Sequence, residues 1–406
     1  MSSTAASDAP SRDLAPTGSF ARDRRFATAA AVAVALVALG AAGGGSSAGS
    51  WPWATAGFAL LAASAFVLDG VRWIPRRALW FGGALLALSA WTGLSAFWSI
   101  DPSASLRELE RDALYVAALA GALGLLRFGG KAAVAAGVAL GATALAGYSL
   151  VEFTAGRRRT AFDWSVPSAP LGYANALAAL GVLGAIASVS LAAAAGTARA
   201  RLAWLSLLAV LCPTIVLTRS VGAMLAAGGA AAVALVLEAR PLLRRRPGRA
   251  VLAACLLLAG AAVVAGGFLG RRDLFRNDRV AYWRVAAEDL ESHVVVGSGA
   301  GTYAAYWSRH PRRAYFAPLH AHNLYLETGA ELGAVGLALL LAMLALPMSS
   351  IGRGDAIRVG AACGFLAFVL HAGVDWDWDM PVVTTAALYL ASILVGGSRP
   401  GRAPPS

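Results

Sequence analysis

Apolar residues along this 406-residue chain gather into long blocks rather than into amphipathic stripes or strict alternations. Blocks of roughly 17–25 residues are what a helix needs to cross about 30 Å of hydrocarbon. Bounded by charge, Gly/Pro or polar clusters, they predict twelve helices, over 26–46, 52–69, 78–98, 113–127, 131–152, 172–196, 201–218, 220–238, 249–270, 330–349, 357–374 and 382–398. Ala and Gly dominate them, so the helices are expected to meet by close backbone approach at small residues. The first block follows Arg22, Arg24 and Arg25 in the manner of a signal peptide. Many blocks follow it and no A-x-A site closes it, so it is expected to be an uncleaved first span. The pattern therefore predicts an all-α polytopic membrane protein. Its parts are an N-tail over 1–25, nine spans within 26–270, a long loop over 271–329, three spans within 330–398 and a C-tail over 399–406. The Ser/Pro/Ala-rich ends are expected to be disordered.

Composition agrees, with 58% hydrophobic and 14% charged residues, against about 25% charged in soluble proteins. A net charge of +12 raises the question of nucleic acid. However, the 34 basic residues, all Arg except Lys131, sit in short runs between apolar blocks. That spacing is a topology signal and not a nucleic-acid surface. With the N-terminus cytoplasmic, 20 of them fall in the tails and cytoplasmic loops and 14 on the other side, eight of these in the single long loop. The rule counts short loops, so both termini are expected in the cytoplasm and the long loop outside the plasma membrane. Arg244, Arg245 and Arg246 are then topogenic and lipid-binding. Arg157, Arg158 and Arg159 run against the trend, marking either a weak local topology or a surface for an anionic substrate. Cys212, Cys255 and Cys363 all lie in apolar blocks and frame no disulfide set.

Outside the cytoplasmic loops, the polar chemistry collects in four places, all outward-facing in this topology. The loop 271–329 carries Arg279 and Trp283, four apart and so on one helical face, with Arg284 beside them. It continues through Gly297-Ser-Gly299-Ala-Gly301 to His320-Ala-His322-Asn323, and then Glu327 and Glu331 lead into the tenth span. The second place is Thr218-Arg219-Ser220, where an arginine lies between two hydrophobic helices and needs a cavity or a partner. The third is Tyr173-Ala-Asn175. The fourth is His371 with Asp375-Trp-Asp377-Trp-Asp379. Guanidinium forks bind phosphate oxygens bidentately, aromatic rings stack on sugars, and a histidine suits general-base work near neutrality. A lipid-linked phosphate or diphosphate sugar would use all of these groups.

In combination, these residues resemble the O-antigen ligase and O-antigen polymerase superfamily. The similar features are Arg279-x-x-x-Trp283, the Gly297–Gly301 turn, and His320-Ala-His322-Asn323-x-Tyr325-Leu-Glu327 running into Glu331-Leu-Gly333-x-x-Gly336. Tyr173-Ala-Asn175 and His371 with Asp375 and Pro381 also look like family positions. The resemblance implies an inverting, metal-independent membrane glycosyltransferase of the GT-C type with no cofactor. Its donor would be a glycan on undecaprenyl diphosphate and its acceptor a sugar hydroxyl of a glycan or glycolipid, in contact with membrane lipids. It further implies His322, with His320, as catalytic, Arg279, Arg219 and Arg284 on the diphosphate, and Trp283, Asn323, Glu327, Tyr173, Asn175, His371 and Asp375 in support. One departure stands out. The family commonly reads Ser-Arg-Gly at the eighth span, whereas Arg219 lies two places early, a rotation of about 200° on a helix. Arg219 serves only if that segment is unwound or the helix starts elsewhere.

Other readings stay open at this level. The Arg279/Trp283 pair also suits an interfacial anchor, and the histidines suit a helix cap. No Cys or carboxylate spacing beside His320 and His322 completes a tetrahedral metal set. Asp375, Asp377 and Asp379 fit a divalent cation or a solvated turn pairing with loop arginines, and the three glycines fit a phosphate cradle or an ordinary turn. A repeat-unit polymerase differs from a ligase only in its acceptor. A transporter or flippase would also have twelve spans, but no inverted repeat or symmetric pair of broken helices is visible. A peptidoglycan-type polymerase is disfavoured by the His320-Ala-His322-Asn323 signature.

Overall fold

A computed structural model of the chain describes residues 18–69, 74–156, 166–242, 278–310, 317–350 and 354–397. Among them only helices and short 3-10 turns occur. They are α1 (Gly18–Ala41), α2 (Trp51–Asp69), α3 (Arg76–Ser95), α4 (Pro102–Gly129), α5 (Lys131–Thr154), α6 (Ala174–Ala194), α7 (Ala198–Ser206), α8 (Leu208–Leu217), α9 (Val221–Leu242), α10 (Arg279–Ser292), α11 (Tyr303–Arg309), α12 (Leu324–Met348), α13 (Ala356–Ala372) and α14 (Pro381–Val395). Eight of the described helical stretches are long and apolar enough to span a bilayer, with α7 and α8 counted together as Ala198–Leu217. Three shorter apolar helices, Val221–Ala232 within α9, α13 and α14, join them. The described residues are thus all-helical, in keeping with a polytopic membrane protein. The ninth expected span, 249–270, lies outside the described residues, as do Arg157–Arg159, Arg244–Arg246 and Cys255.

Small residues set the packing, as their abundance predicts. A Cβ on Gly184 of α6 would come within 2.5 Å of Ala142 on α5, and one on Gly360 of α13 within 2.3 Å of Ser190 on α6. Over its apolar window α6 is 94% buried, whereas α2 is 22% buried. A helix apolar on all sides belongs at the centre of the bundle, and α2 leaves most of its surface to lipid.

Three helix starts differ from the expected bounds: α1 begins at Gly18, inside the stretch to 25 expected as an N-terminal tail, so Arg22, Arg24 and Arg25 lie on the helix, and α4 and α12 also start early. The fourth block was expected from 113, yet α4 begins at Pro102. Asp101 caps it, its carboxylate accepting from Ala104 N at 3.1 Å, and Pro102 takes the first-turn position. Arg107 to Asp112 therefore lie on a helix and not in a polar loop, and Arg111 and Asp112 are buried. The tenth block was expected from 330, yet α12 begins at Leu324. Asn323 caps it through Oδ1, which accepts from Tyr325 N and Leu326 N, both at 3.1 Å. In both places hydropathy shortened the helix, because polar first-turn residues read as loop.

Inside α12, Gly333 has φ +67° and breaks the helical ladder. The released backbone is taken up by the segment before α11: Ser298 N donates to Ala330 O at 3.0 Å, Gly299 N to Glu331 O at 2.8 Å, and Ala334 N to Val294 O at 2.8 Å. A Cβ on Gly333 would fall 2.3 Å from the Val295 carbonyl carbon, so only glycine fits there. Above this junction α10 and α11 form their own small core, with Tyr282, Val285, Tyr303, Tyr306 and Trp307 buried around Ala321.

The helices alternate so that one end of the bundle gathers the C-termini of α1, α3, α8 and α13 with the N-termini of α2, α4, α6, α9, α12 and α14. Contacts across that end include Trp51 Nε1 to Gly45 O at 2.6 Å, Ala300 N to Ser95 Oγ at 3.0 Å and Tyr325 Oη to Val369 O at 2.6 Å. The opposite end holds Arg77 on Ser350, Lys131 on Asp355, and Arg358 on the Ile393 and Leu394 carbonyls.

Candidate functional site

Three separate segments meet around one buried carboxylate at the first of these ends. Asp375 lies in the turn between α13 and α14 and has no exposed surface. Its Oδ1 accepts from the Tyr173 hydroxyl at 2.7 Å and from Trp376 N at 3.0 Å. Its Oδ2 accepts from Asn175 Nδ2 at 2.7 Å and from Arg279 at 3.0 Å. Tyr173 and Asn175 reach it because α6 starts at Ala174, and Arg279 because it is the first residue of α10. Arg279 also donates to the Val374 carbonyl. His371, on the last turn of α13, places Nε2 4.0 Å from Asp375 and binds Asp377 through Nδ1 at 2.5 Å. Burial alone would raise the Asp375 carboxyl, but the charges of Arg279, His371 and His322 and the Tyr173 hydroxyl hold it below the usual carboxylate range. Burial and the Asp375 charge push the Tyr173 phenol well up, so it stays a donor. Tyr173, Asn175, Arg279, His371 and Asp375, all expected from the sequence, are thus brought together.

The histidine loop sits against the same turn. Trp376 is covered on one side by Tyr173, with ring centroids 4.9 Å apart, and on the other by His320, stacked at 4.8 Å with the planes 15° apart. His322 lies beside it at 6.2 Å and beside Tyr282 at 5.6 Å. Its backbone has φ +55°, a left-handed conformation unusual for histidine. His322 Nδ1 is 3.1 Å from the His320 carbonyl. A carbonyl only accepts, so Nδ1 carries the hydrogen, and in the neutral ring Nε2 keeps its lone pair. Burial pushes the His322 pKa down, which favours that neutral form.

His320 has a different environment. Its Nδ1 lies 2.9 Å from Glu327 and 3.4 Å from Asp379. Burial works against its positive charge, but Asp379 and Glu327 outweigh it and lift the pKa to about 10. Glu327 also accepts from Ala321 N at 2.7 Å. Two neighbours one residue apart are therefore sorted, one into a neutral ring and the other into a fixed cation.

Not every expected residue joins. Arg284 is exposed, five residues on from Arg279 and so turned off its face. Trp283 is half-buried against the small loop core. Asn323 serves as the α12 cap. Arg219 is exposed in a break between α8 and α9, with φ +56°. The segment is unwound there, which is the condition under which an arginine two places early remains usable. Three residues on, a Cβ on Gly222 would lie 3.3 Å from His371 Nε2, so this break borders the site.

Two open readings close. The N–H groups of the glycine turn are spent within the protein: Gly297 on His293 O, Gly299 on Glu331 O and Gly301 on the Glu331 carboxylate. The turn is a structural junction and does not cradle phosphate. The Asp375–Asp379 segment is no solvated turn either, since Asp375 and Asp377 are buried and Asp379 pairs with Arg111 of α4. Sequence spacing also left carboxylates away from His320, yet the fold sets Glu327 and Asp379 so that the three ligand atoms lie within 4.8 Å of one another. Such a set resembles a metal centre, but Arg111 already holds Asp379, and His320 Nδ1 faces both carboxylates. The protein's own cations meet that charge. From the sequence Asp377 and Asp379 are expected only as a cation set or a solvated turn, and Trp376 and Arg111 carry no expected role. The alternation of acid and tryptophan at 375–379 marks three of these residues, and nothing local marks Arg111.

Residues 205–341 match the family model described as O-antigen ligase. The matched stretch includes Arg219, Arg279, His320, His322, Asn323 and Glu327, while Tyr173, Asn175, Arg111, His371 and Asp375 lie outside it. A search of the curated proteins finds no match. Over residues 205–341 the chain is therefore similar to the family described as O-antigen ligase, and the comparison extends no further along it.

Proposed function

We propose that this protein transfers a glycan from undecaprenyl diphosphate to an acceptor sugar hydroxyl at the outer face of the plasma membrane, with inversion and without a metal ion. The observation that carries the reading is the convergence of Arg279, Tyr173, Asn175 and His371 on Asp375, with His322 beside them and within reach of the charges of Asp375 and Arg279. Positive charge for a leaving diphosphate and a neutral base for an incoming hydroxyl are then neighbours.

The acceptor oxygen attacks the anomeric carbon as His322 Nε2 takes its proton, and the bond from that carbon to the phosphate oxygen breaks. Arg279 stabilises the charge that develops on the diphosphate, in a pocket poor in water where such contacts are strengthened. In the resting arrangement its donors rest on Asp375 and the Val374 carbonyl, and the donor's phosphates take over from these partners. Arg219, in its unwound break beside His371, is the second arginine of this reading, and Arg284 ranks behind both. The outer-face placement rests on the concentration of basic residues in loops on the other side. Ligase and polymerase share this chemistry and differ in acceptor, and the ligase reading follows the description of the matched family.

The test is transfer from a polyprenyl diphosphate glycan by purified protein in detergent, comparing wild type with His322→Ala and Arg279→Ala. Loss of transfer in both supports the reading, and undiminished transfer by either removes that residue's role. Deleting the gene separates the two acceptors: full-length glycan left on its carrier indicates a ligase, and single repeat units indicate a polymerase.

A further inference from the structure

Beneath the histidine loop lies a group of charges that the transfer chemistry does not use. Arg111 is buried on α4, a helix outside the stretch that matches the family, at a position where hydropathy suggested a loop. Its guanidinium bonds to Glu108 one turn earlier on the same helix and to Asp379 Oδ1 in the turn before α14. The other oxygen of Asp379 faces His320 Nδ1 at 3.4 Å, and Glu327 of α12 faces the same atom at 2.9 Å. One helix turn further along α4, the Tyr115 hydroxyl bonds to the Trp378 carbonyl, fastening the same turn again. The cavity between these groups is about 40 Å³, room for about three or four waters at roughly 10–15 Å³ each. That is too small for a sugar ring.

Charge buried in a membrane protein is costly and marks function by default. Here it forms a line with a direction: α4 to Asp379, Asp379 to His320, His320 by ring stacking to Trp376, and His320 by its carbonyl to His322. We propose that Arg111 is a positioning residue for the candidate site, gripping Asp379 so that His320 is held flat on Trp376 and His322 Nε2 is kept facing the reacting hydroxyl. The guanidinium fork suits this task, because one plane meets two carboxylates and cannot lose its charge. The groups facing His320 are Asp379, Glu327 and Arg111, with Glu108 behind them. His320 thus remains a cation at neutral pH, with Asp379 fixed by Arg111.

This role rests on the transfer reading only for its effect on rate; the stacking contact is testable without it. The probe is Trp376 fluorescence of the full-length protein in nanodiscs, obtained as the difference between wild type and Trp376→Phe, since a stacked imidazolium quenches an indole. Arg111→Gln combined with Glu108→Gln and Asp112→Asn removes Arg111 together with its acidic neighbours on α4, and Asp379→Asn breaks the line from the other end. Each is expected to restore Trp376 emission severalfold, while Arg111→Lys keeps the quenching in part. Transfer is expected to fall at least tenfold in kcat, with the donor KM within twofold of wild type. Wild-type quenching in both folded variants overturns the proposal, as does a loss confined to KM. If wild type shows no transfer at all, the function proposed above fails, and the fluorescence result still decides whether Arg111 positions His320.

Discussion

The two ends of the helix bundle use ionic groups in opposite ways. At one end Lys131 pairs with Asp355 while both side chains stay about half exposed, at 40% and 51%. Arg77 and Arg358 there bond to a hydroxyl and to helix-end carbonyls. At the other end Asp375 and Asp377 are buried, and each is tied to an arginine or a histidine. Cations on the first end cost little to solvate and suit the inner face of a membrane. Charges at the second are removed from water, so each depends on a specific partner and is tuned by it. Basic residues at one end pair close to the surface, and those at the other are tied to buried carboxylates.

The largest effect that separates the ends is expected from Arg279→Ala. It leaves Asp375 buried without its guanidinium and should cost about 3–5 kcal/mol of stability, together with loss of transfer, read by thermal unfolding and by the glycan assay. Adding Asp375→Asn should restore much of the stability and none of the transfer. Stability unchanged by Arg279→Ala would show that this end is no more dependent on pairing than the other.

His322→Ala should next reduce transfer about 10²–10⁴-fold, the usual contribution of a general base, and leave the melting temperature nearly unchanged. Because burial lowers its pKa, wild-type kcat should hold as pH falls below the ordinary histidine value near 6.5 and decline only at lower pH.

A smaller effect concerns pH and stability. The His320 pKa is raised to about 10, so its contribution is complete below the unfolded value of about 6.5 and is lost as pH rises towards 10. The melting temperature should fall across that window in wild type, and the slope should flatten in His320→Gln. At the opposite end, Lys131→Ala should change stability by less than about 1 kcal/mol, as exposed pairs do, and should not affect transfer.

Much of this was legible in the chain. Nearly every apolar block over a described region is a helix, because burying backbone in lipid leaves the helix as the economical way to satisfy its hydrogen bonds. Tyr173, Asn175, Arg279, His371 and Asp375 were each picked out by type and by their shared face, and they meet. Misplaced starts at α4 and α12 share one cause: polar first-turn residues that cap a helix look like loop to a hydropathy window. The pairing of Arg111 with Asp379 was not legible, because nothing local marks a pair separated by more than half the chain.

The sequence by itself determined the apolar blocks that become helices, the short loops in which basic residues concentrate and the residue types that gather around Asp375. All of these follow from local composition and spacing. Only the tertiary structure decided which charges are buried against which partners. It made the glycine turn a junction within a broken α12, kept His322 neutral beside a cationic His320, and joined α4 to the histidine loop through Arg111. Ionisation and reactivity depend on distance and burial, and those are set when helices far apart in sequence come together.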